Sequence, residues 1–185
     1  VLDAAAASRV RLLVLDVDGV LTDNAVYLGL VAGTRTEFKR FDIQDGMGLV
    51  LLRLVGLPVA IVSGRPSDAT ALRMRELGID DVVQDPAARK LPALRSLLER
   101  RGLRWDEVCY VGDDLADLPV MRRCGVPVAV ANAVDEVKAV ARLVTTRRGG
   151  DGAVREAIEA LLRARGEWDA AVARYLRERG DDDAA

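Results

Sequence analysis

The sequence predicts an α/β protein, a Rossmann-like parallel sheet flanked by helices, with a β-hairpin projecting from it. Short apolar runs bounded by Gly, Asp or Pro alternate with longer segments of helical period, which is the pattern of βα units and a parallel sheet. Two of the runs, Leu12-Leu13-Val14-Leu15 and Val108-Cys109-Tyr110-Val111, open into acidic turns, Asp16-Val17-Asp18-Gly19 and Gly112-Asp113-Asp114. Open α/β sheets bind ligands at the carboxyl ends of their strands. Hydrophobic residues make up 50% of the 185, enough to fill the core of such a domain.

In chain order, strands are expected at residues 10–15, 59–62, 82–83, 108–111, 126–130 and 143–145. Helices are expected at 46–54, 67–77, 90–101 and 118–123, and then at 153–165 and 167–179, which meet at Gly166. The last helix places Trp168, Val172, Tyr175 and Leu176 on a recurring apolar face. Asp181-Asp182-Asp183 reads as a solvated, frayed tail. Between Asp23 and Gln44 the pattern changes. Val26-Tyr27-Leu28 and Thr36-Glu37-Phe38-Lys39-Arg40-Phe41 flank Gly29 and Gly33, as in a β-hairpin leaving the first strand end. Phe38 and Phe41 do not alternate strictly, so the spacing leaves the register open. No room then remains before Val59 for an inserted lid, and residues 63–90 hold one helix and one short strand. The expected molecule is a bare, capless core: one domain over 1–185, with its core at about 9–165 and a C-terminal helix and acidic tail at about 167–185.

Composition narrows the chemistry. Net charge is -2 and the arginines are scattered, so no nucleic-acid footprint is expected. No apolar stretch approaches a membrane span and no secretion signal opens the sequence, so no membrane partner is expected. Two cysteines, Cys109 and Cys124, are too few for a disulfide framework and fit a reducing cytoplasm. There is no histidine, which removes Ser-His-Asp hydrolases, histidine phosphatases and two-histidine zinc sites. A cysteine phosphatase would place Arg six residues after its Cys; Leu115 and Val130 stand there instead. No G-x-x-x-x-G-K-[ST] loop is present.

The aspartates are left with the chemistry. Asp16 and Asp18 at one strand end, and Asp113, Asp114 and Asp117 near another, could meet around one hard cation. A carboxylate can also act as a nucleophile and carry a phosphoryl group. A third strand end, Ser63-Gly64-Arg65, offers a hydroxyl and backbone N–H groups to a phosphate, and Lys90 offers a positive charge. The expectation is metal-assisted phosphoryl transfer through aspartate.

Asp16-x-Asp18, Ser63, Lys90 and Gly112-Asp113-Asp114, in that order, resemble the four motifs of the haloacid dehalogenase-like (HAD) phosphatases. Further stretches are Asp16 to Asp23, Phe41-x-x-x-Asp45-Gly46-x-Gly48, Tyr110 to Met121, and Gly149-Gly150-x-Gly152-Ala153-Val154-Arg155-Glu156. With these the chain resembles the capless 3-deoxy-D-manno-octulosonate 8-phosphate (KDO 8-P) phosphatase subfamily over residues 9–165. The resemblance implies a cytoplasmic Mg²⁺-dependent phosphomonoesterase of lipopolysaccharide biosynthesis, acting on a phosphorylated sugar acid through an aspartyl-phosphate. It implies a homotetramer in which hairpins pack together and neighbouring subunits complete each active site. By the same resemblance Asp16 is the nucleophile and Asp18 the proton donor and acceptor. Mg²⁺ is held by Asp16, the Asp18 carbonyl and Asp113, with Asp114 and Asp117 behind. Ser63 and Lys90 hold the phosphoryl oxygens, and Thr22, Gly64, Arg65 and Arg73 join them in binding substrate; for Arg73 a structural ion pair is the alternative. Arg147-Arg148, beside Gly149-Gly150, reads as a solvated loop, with an intersubunit anion contact as the alternative. Gln44 stands where a basic residue is expected, and Gln84-Asp85-Pro86 where Gln-Gly is expected. These departures keep open another substrate of the same class, such as a nonulosonate 9-phosphate or a specialised-metabolite precursor. A receiver-like phosphorylation switch is the non-enzymatic alternative.

Overall fold

The computed structural model describes residues 1–181; of the expected acidic tail, residues 182–185 lie outside the described residues. The chain runs α1 (Ala4–Arg9), β1 (Leu12–Leu15), a hairpin of β2 (Tyr27–Val31) and β3 (Thr34–Phe38), α2 (Ile43–Leu54), β4 (Val59–Ser63), α3 (Asp68–Glu76) and β5 (Asp81–Gln84). It continues through α4 (Lys90–Arg101), a 3-10 turn (Trp105–Glu107), β6 (Val108–Gly112), α5 (Leu118–Met121), β7 (Val126–Ala129), α6 (Asp135–Val140), β8 (Leu143–Val144), α7 (Ala153–Arg165) and α8 (Trp168–Arg177).

Six strands form one parallel sheet in the order β5-β4-β1-β6-β7-β8. Every residue of β1 and of β6 is buried, which is why both read as unbroken apolar runs: helices cover both faces of a parallel sheet. After β1 the chain builds outward through β4 and β5, then crosses to β6 on the other side. The strand order therefore reverses between β1 and β6, and a crevice opens at their carboxyl ends.

Helix ends are fixed by side chains that replace missing backbone partners. Asp42 caps α2 by accepting from the N–H groups of Gln44 (2.6 Å) and Asp45 (3.3 Å), and Ser67 caps α3 through Thr70 N (3.3 Å). α7 begins at Gly152, which has no side chain to cap with. Asp45 of α2 supplies it from outside, its Oδ1 accepting from Arg155 N at 2.7 Å. Burial pushes the Asp45 carboxyl up to about 6, against the backbone N–H groups of Arg155, Gly152 and Val154, which favour its charge.

Three sequence expectations are corrected. The hairpin pairs Tyr27 with Phe38 and turns at Ala32-Gly33; Phe41 lies outside it and bridges Thr22 instead. α1 and α6 were not expected. α1 is alanine-rich and docks Ala6 and Ala7 in the core, its end tied by Arg165 to the carbonyls of Ala7 (3.2 Å) and Val10 (2.7 Å). On α8, Trp168 and Tyr175 of the expected face pack half-buried against the core, while the fully buried residues are Ala171 and Ala173. Trp168 is clasped by Arg155 and Arg163, 5.2 and 4.7 Å from its ring centre, and Leu176 faces solvent at 38% exposure. Among the described residues no helix is long and apolar enough to cross a membrane.

Candidate active site

The turn after β1 is built so that its carboxylates face the crevice. Asp16 N donates to Val111 O (3.1 Å), extending the β1–β6 pairing by one residue. The N–H groups of Val20, Leu21 and Thr22 all point at Val17 O, at 3.2, 2.9 and 3.1 Å. Gly19 has φ +87°, and a Cβ there would lie 2.0 Å from Asp113 Oδ2. A side chain at Gly19 would be both strained and in collision, so glycine lets the β6 carboxylate rest on the β1 turn.

Lys90 is buried with its Nζ 2.8 Å from Asp16 Oδ1 and 2.7 Å from Asp117 Oδ1. Asp117 is fully engaged: Tyr110 OH donates to Oδ1 (2.6 Å), and Asp113 N and Asp114 N donate to Oδ2 (3.0 and 3.2 Å). Burial works against the charge of Lys90, but Asp16 and Asp117 outweigh it and raise its pKa. One ammonium does not balance three carboxylates. Burial, and then the charge of Asp117, push Asp16 up to about 7. Burial, and then Asp16 and Asp117, push Asp113 up to about 8.

The surplus negative charge fits a divalent cation. Carboxylate oxygens of Asp16, Asp113 and Asp117 lie within 4.8 Å of one another, and Asp113 Oδ1 is buried without a hydrogen-bond partner. Hard oxygen donors of this kind suit Mg²⁺. Since Asp117 is spent on Lys90, Tyr110 and two backbone groups, Asp16 and Asp113 are the oxygens left to face an ion. The main-chain carbonyl implied for Asp18 adds no side-chain oxygen to this group.

Electrostatics of this kind make stability depend on pH and metal together. Asp16, Asp113 and Asp45 all have folded pKa values raised above the unfolded value of about 4. Between about pH 4 and 8 the folded state therefore binds more protons than the unfolded one, and stability falls as pH rises. The metal-free protein is expected to lose several degrees of Tm from pH 5 to pH 8. Mg²⁺ should restore them at pH 8 and do little at pH 5, where it must displace protons. Calorimetry with EDTA and with Mg²⁺ checks this, and an equal Mg²⁺ shift at both pH values would refute it.

Asp16, Asp18, Ser63, Gly64, Arg65, Lys90, Asp113 and Asp114 line one cavity of about 180 Å³ at these strand ends. Larger hollows lie elsewhere, one of about 750 Å³ between the starts of α2 and α7, but the carboxylates and lysine converge on the small one. The haloacid dehalogenase-like hydrolase pattern matches residues 82–158. The 3-deoxy-D-manno-octulosonate 8-phosphate phosphatase of Escherichia coli K12 is 42% identical over 167 residues, 90% of this chain and 87% of that protein. The chain belongs to the KDO 8-P phosphatase family of HAD-like hydrolases.

Solved structures agree with that placement. The Moraxella catarrhalis 3-deoxy-D-manno-octulosonate 8-phosphate phosphatase, in complex with magnesium ion, phosphate ion and KDO, superposes with a TM-score of 0.86 at 38% identity, covering 93% of this chain and 97% of that one. A HAD subfamily III A hydrolase from Legionella pneumophila superposes at 0.87 and 39%, covering 94% and 93%.

Two expected HAD phosphatase site residues lie away from the cavity. Thr22 is buried in the turn, its hydroxyl donating to Val17 O (3.3 Å) and accepting from Gly19 N (3.4 Å). Arg73 pairs with Glu76 at 3.2 Å and lies against Gly46 of α2. Arg147 donates to Gln44 Oε1 (2.9 Å), so the unexpected glutamine has an arginine partner within the chain. Sequence reasoning missed several residues that build the site. Asn24, at φ +66°, is on the cavity wall. Asn132 ties two distant loops, donating to Gly19 O (2.9 Å) and accepting from Gly149 N (2.6 Å). Lys39 reaches Asp18 from the hairpin. The Gly149-Gly150 pair was the one sequence signal of this clasp, since adjacent glycines mark close backbone approach.

Proposed function

We infer that the chain is a Mg²⁺-dependent phosphomonoesterase converting 3-deoxy-D-manno-octulosonate 8-phosphate to the free sugar acid and phosphate. The observation that carries the chemistry is the convergence of Asp16, Asp18, Ser63, Lys90 and Asp113 on one cavity. The substrate comes from the relatives, which share that activity in name at 42% identity. Bound Mg²⁺, facing Asp16, the Asp18 carbonyl and Asp113, would offset the repulsion between nucleophile and phosphate dianion. With Lys90 on Oδ1, Asp16 attacks phosphorus through its other oxygen and becomes the aspartyl-phosphate. Asp18 gives its proton to the departing sugar oxygen, then takes one from the water that hydrolyses the intermediate. Ser63 and Lys90 hold the phosphoryl oxygens, and Asp117 holds Lys90. Arg65 has a buried Nη1 without a partner, suited to the carboxylate of a sugar acid.

The hairpin supports an assembled state. Val26, Leu28, Leu30, Val31 and Phe38 are each more than half exposed, with Leu30 at 77%, an apolar surface of the kind that marks an interface. In a homotetramer built on it a neighbour would exclude water from the open cavity. A cytoplasmic location fits Cys109 and Cys124, both buried and free.

The test is phosphate release, with Mg²⁺ and with EDTA, across phosphorylated sugar acids including KDO 8-phosphate. A Mg²⁺-dependent preference for that compound is expected. Preference for a nonulosonate 9-phosphate would move the enzyme to another pathway with the mechanism intact. No release, with the aspartyl-phosphate persisting for minutes, would favour a switch.

A further inference from the structure

A second buried lysine stands behind the other aspartate. Lys39 follows β3 directly; its side chain has 0% exposure and its Nζ lies 2.6 Å from Asp18 Oδ1. The same ammonium is 3.8 Å from Glu37 Oε1. Glu37 is itself braced, accepting from Ser67 Oγ at 2.8 Å and pairing with Arg65. Lysines ordinarily keep the ammonium in water and bury only the stem. Burying one is costly unless its partners are well placed. A fixed charge pair of this kind is therefore a geometric constraint on Asp18, which remains 25% exposed at the cavity.

The two lysines divide the work. Lys90 engages Asp16 and Asp117, whereas Lys39 engages Asp18 and no other residue of the nucleophile's group. Without Lys39, the Asp18 side chain, on a turn open to solvent, would have several rotamers available. We propose that Lys39 is a positioning residue for Asp18, holding its carboxylate where it meets the leaving oxygen. This rests on the phosphatase reading above. The bland competitor is that Lys39 only staples the hairpin to the turn, in which case its loss would loosen the whole site.

The nature of the leaving group separates the two. A sugar alkoxide needs a proton as it departs, while 4-nitrophenolate leaves as the anion. kcat/KM reports events up to transfer of phosphorus to Asp16, the step in which Asp18 acts as acid. Lys39→Met removes the ammonium and keeps an apolar stem of similar length. On the preferred sugar phosphate kcat/KM should fall by on the order of 10²-fold, mostly in kcat. On 4-nitrophenyl phosphate it should fall less than about 3-fold, a difference that general acid catalysis alone accounts for. Lys39→Arg, which keeps a cation in the chamber, should recover part of the sugar-phosphate loss. Equal losses on both substrates, or no loss on either, would overturn the proposal. Should Lys39→Met fail to fold, Lys39→Arg carries the same comparison: a shifted donor gives a loss confined to the sugar phosphate if Lys39 positions Asp18, and parallel losses if it does not. A wild-type protein inert towards both substrates would overturn the phosphatase reading first, and is distinguishable from either result.

Discussion

Asp16→Asn is expected to lower turnover by on the order of 10⁴-fold or more while leaving the fold intact. An amide does not attack phosphorus to form an acyl-phosphate, and Asp117, which shares Lys90 with it, is held by Lys90, Tyr110 and two backbone N–H groups. The variant keeps the Lys90–Asp117 pair at 2.7 Å, so it does not strand a buried ammonium. It also removes one of three clustered carboxylates whose mutual repulsion helps push Asp16 up to about 7. At pH 8 without metal its Tm should therefore equal or exceed that of the wild type. Phosphate release and calorimetry on one preparation test both halves. A rate within a hundredfold of wild type would remove Asp16 from the role of nucleophile.

The second large effect is expected far from the reacting atoms in sequence. At Gly149 an added Cβ would sit 1.8 Å from Gly19 O and 2.4 Å from Gly19 C. Both obstacles are backbone, so no side chain can rotate away. Gly149→Ala must push the 149–152 loop off the Asp16–Thr22 turn, breaking the hydrogen bonds from Gly150 N to Val20 O (3.1 Å) and from Gly149 N to Asn132 (2.6 Å). Overpacking of this kind costs about 1–3 kcal/mol, or roughly 2–12 °C of Tm for a domain of this size. A displacement of about 1 Å at the turn costs on the order of 10²-fold in rate. Assays well below the variant's Tm would show the rate loss separately from unfolding. Wild-type kinetics would mean that the loop does not shape the turn.

The fold was legible where burial is complete. β1 and β6 are covered on both faces, so their sequences are unbroken apolar runs that end sharply at Asp16 and Gly112. The Asp16 turn, the Ser63 turn and Lys90 were legible because each lies at the end of such a run or the start of the next helix. α1 was not, because six residues dominated by alanine carry almost no amphipathic contrast. Arg73 could be placed on α3 but not aimed: which side of that helix meets α2 depends on packing against Gly46, which no local pattern encodes. Lys39 was invisible for a related reason. A lysine between an aromatic and an arginine in a hairpin arm is ordinarily solvated, and only the return of β3 towards the β1 turn buries it beside Asp18.

The Asn132 and Gly149 clasp also bears on how the protein comes to life during synthesis. The proposed reacting side chains run from Asp16 to Asp113 and would emerge first. The groups that press the Asp16 turn into shape, Asn132 on Gly19 and Gly150 on Val20, come later by 113 residues or more. A nascent chain stopped at α5 would carry Asp16, Asp18 and Lys90 and the turn's own hydrogen bonds to Val17 O, but not the contacts from Asn132 and Gly150. Contacts this distant in sequence close late. The clasp on the Asp16 turn therefore closes only once the last third of the polypeptide has been made, after the aspartates themselves have emerged.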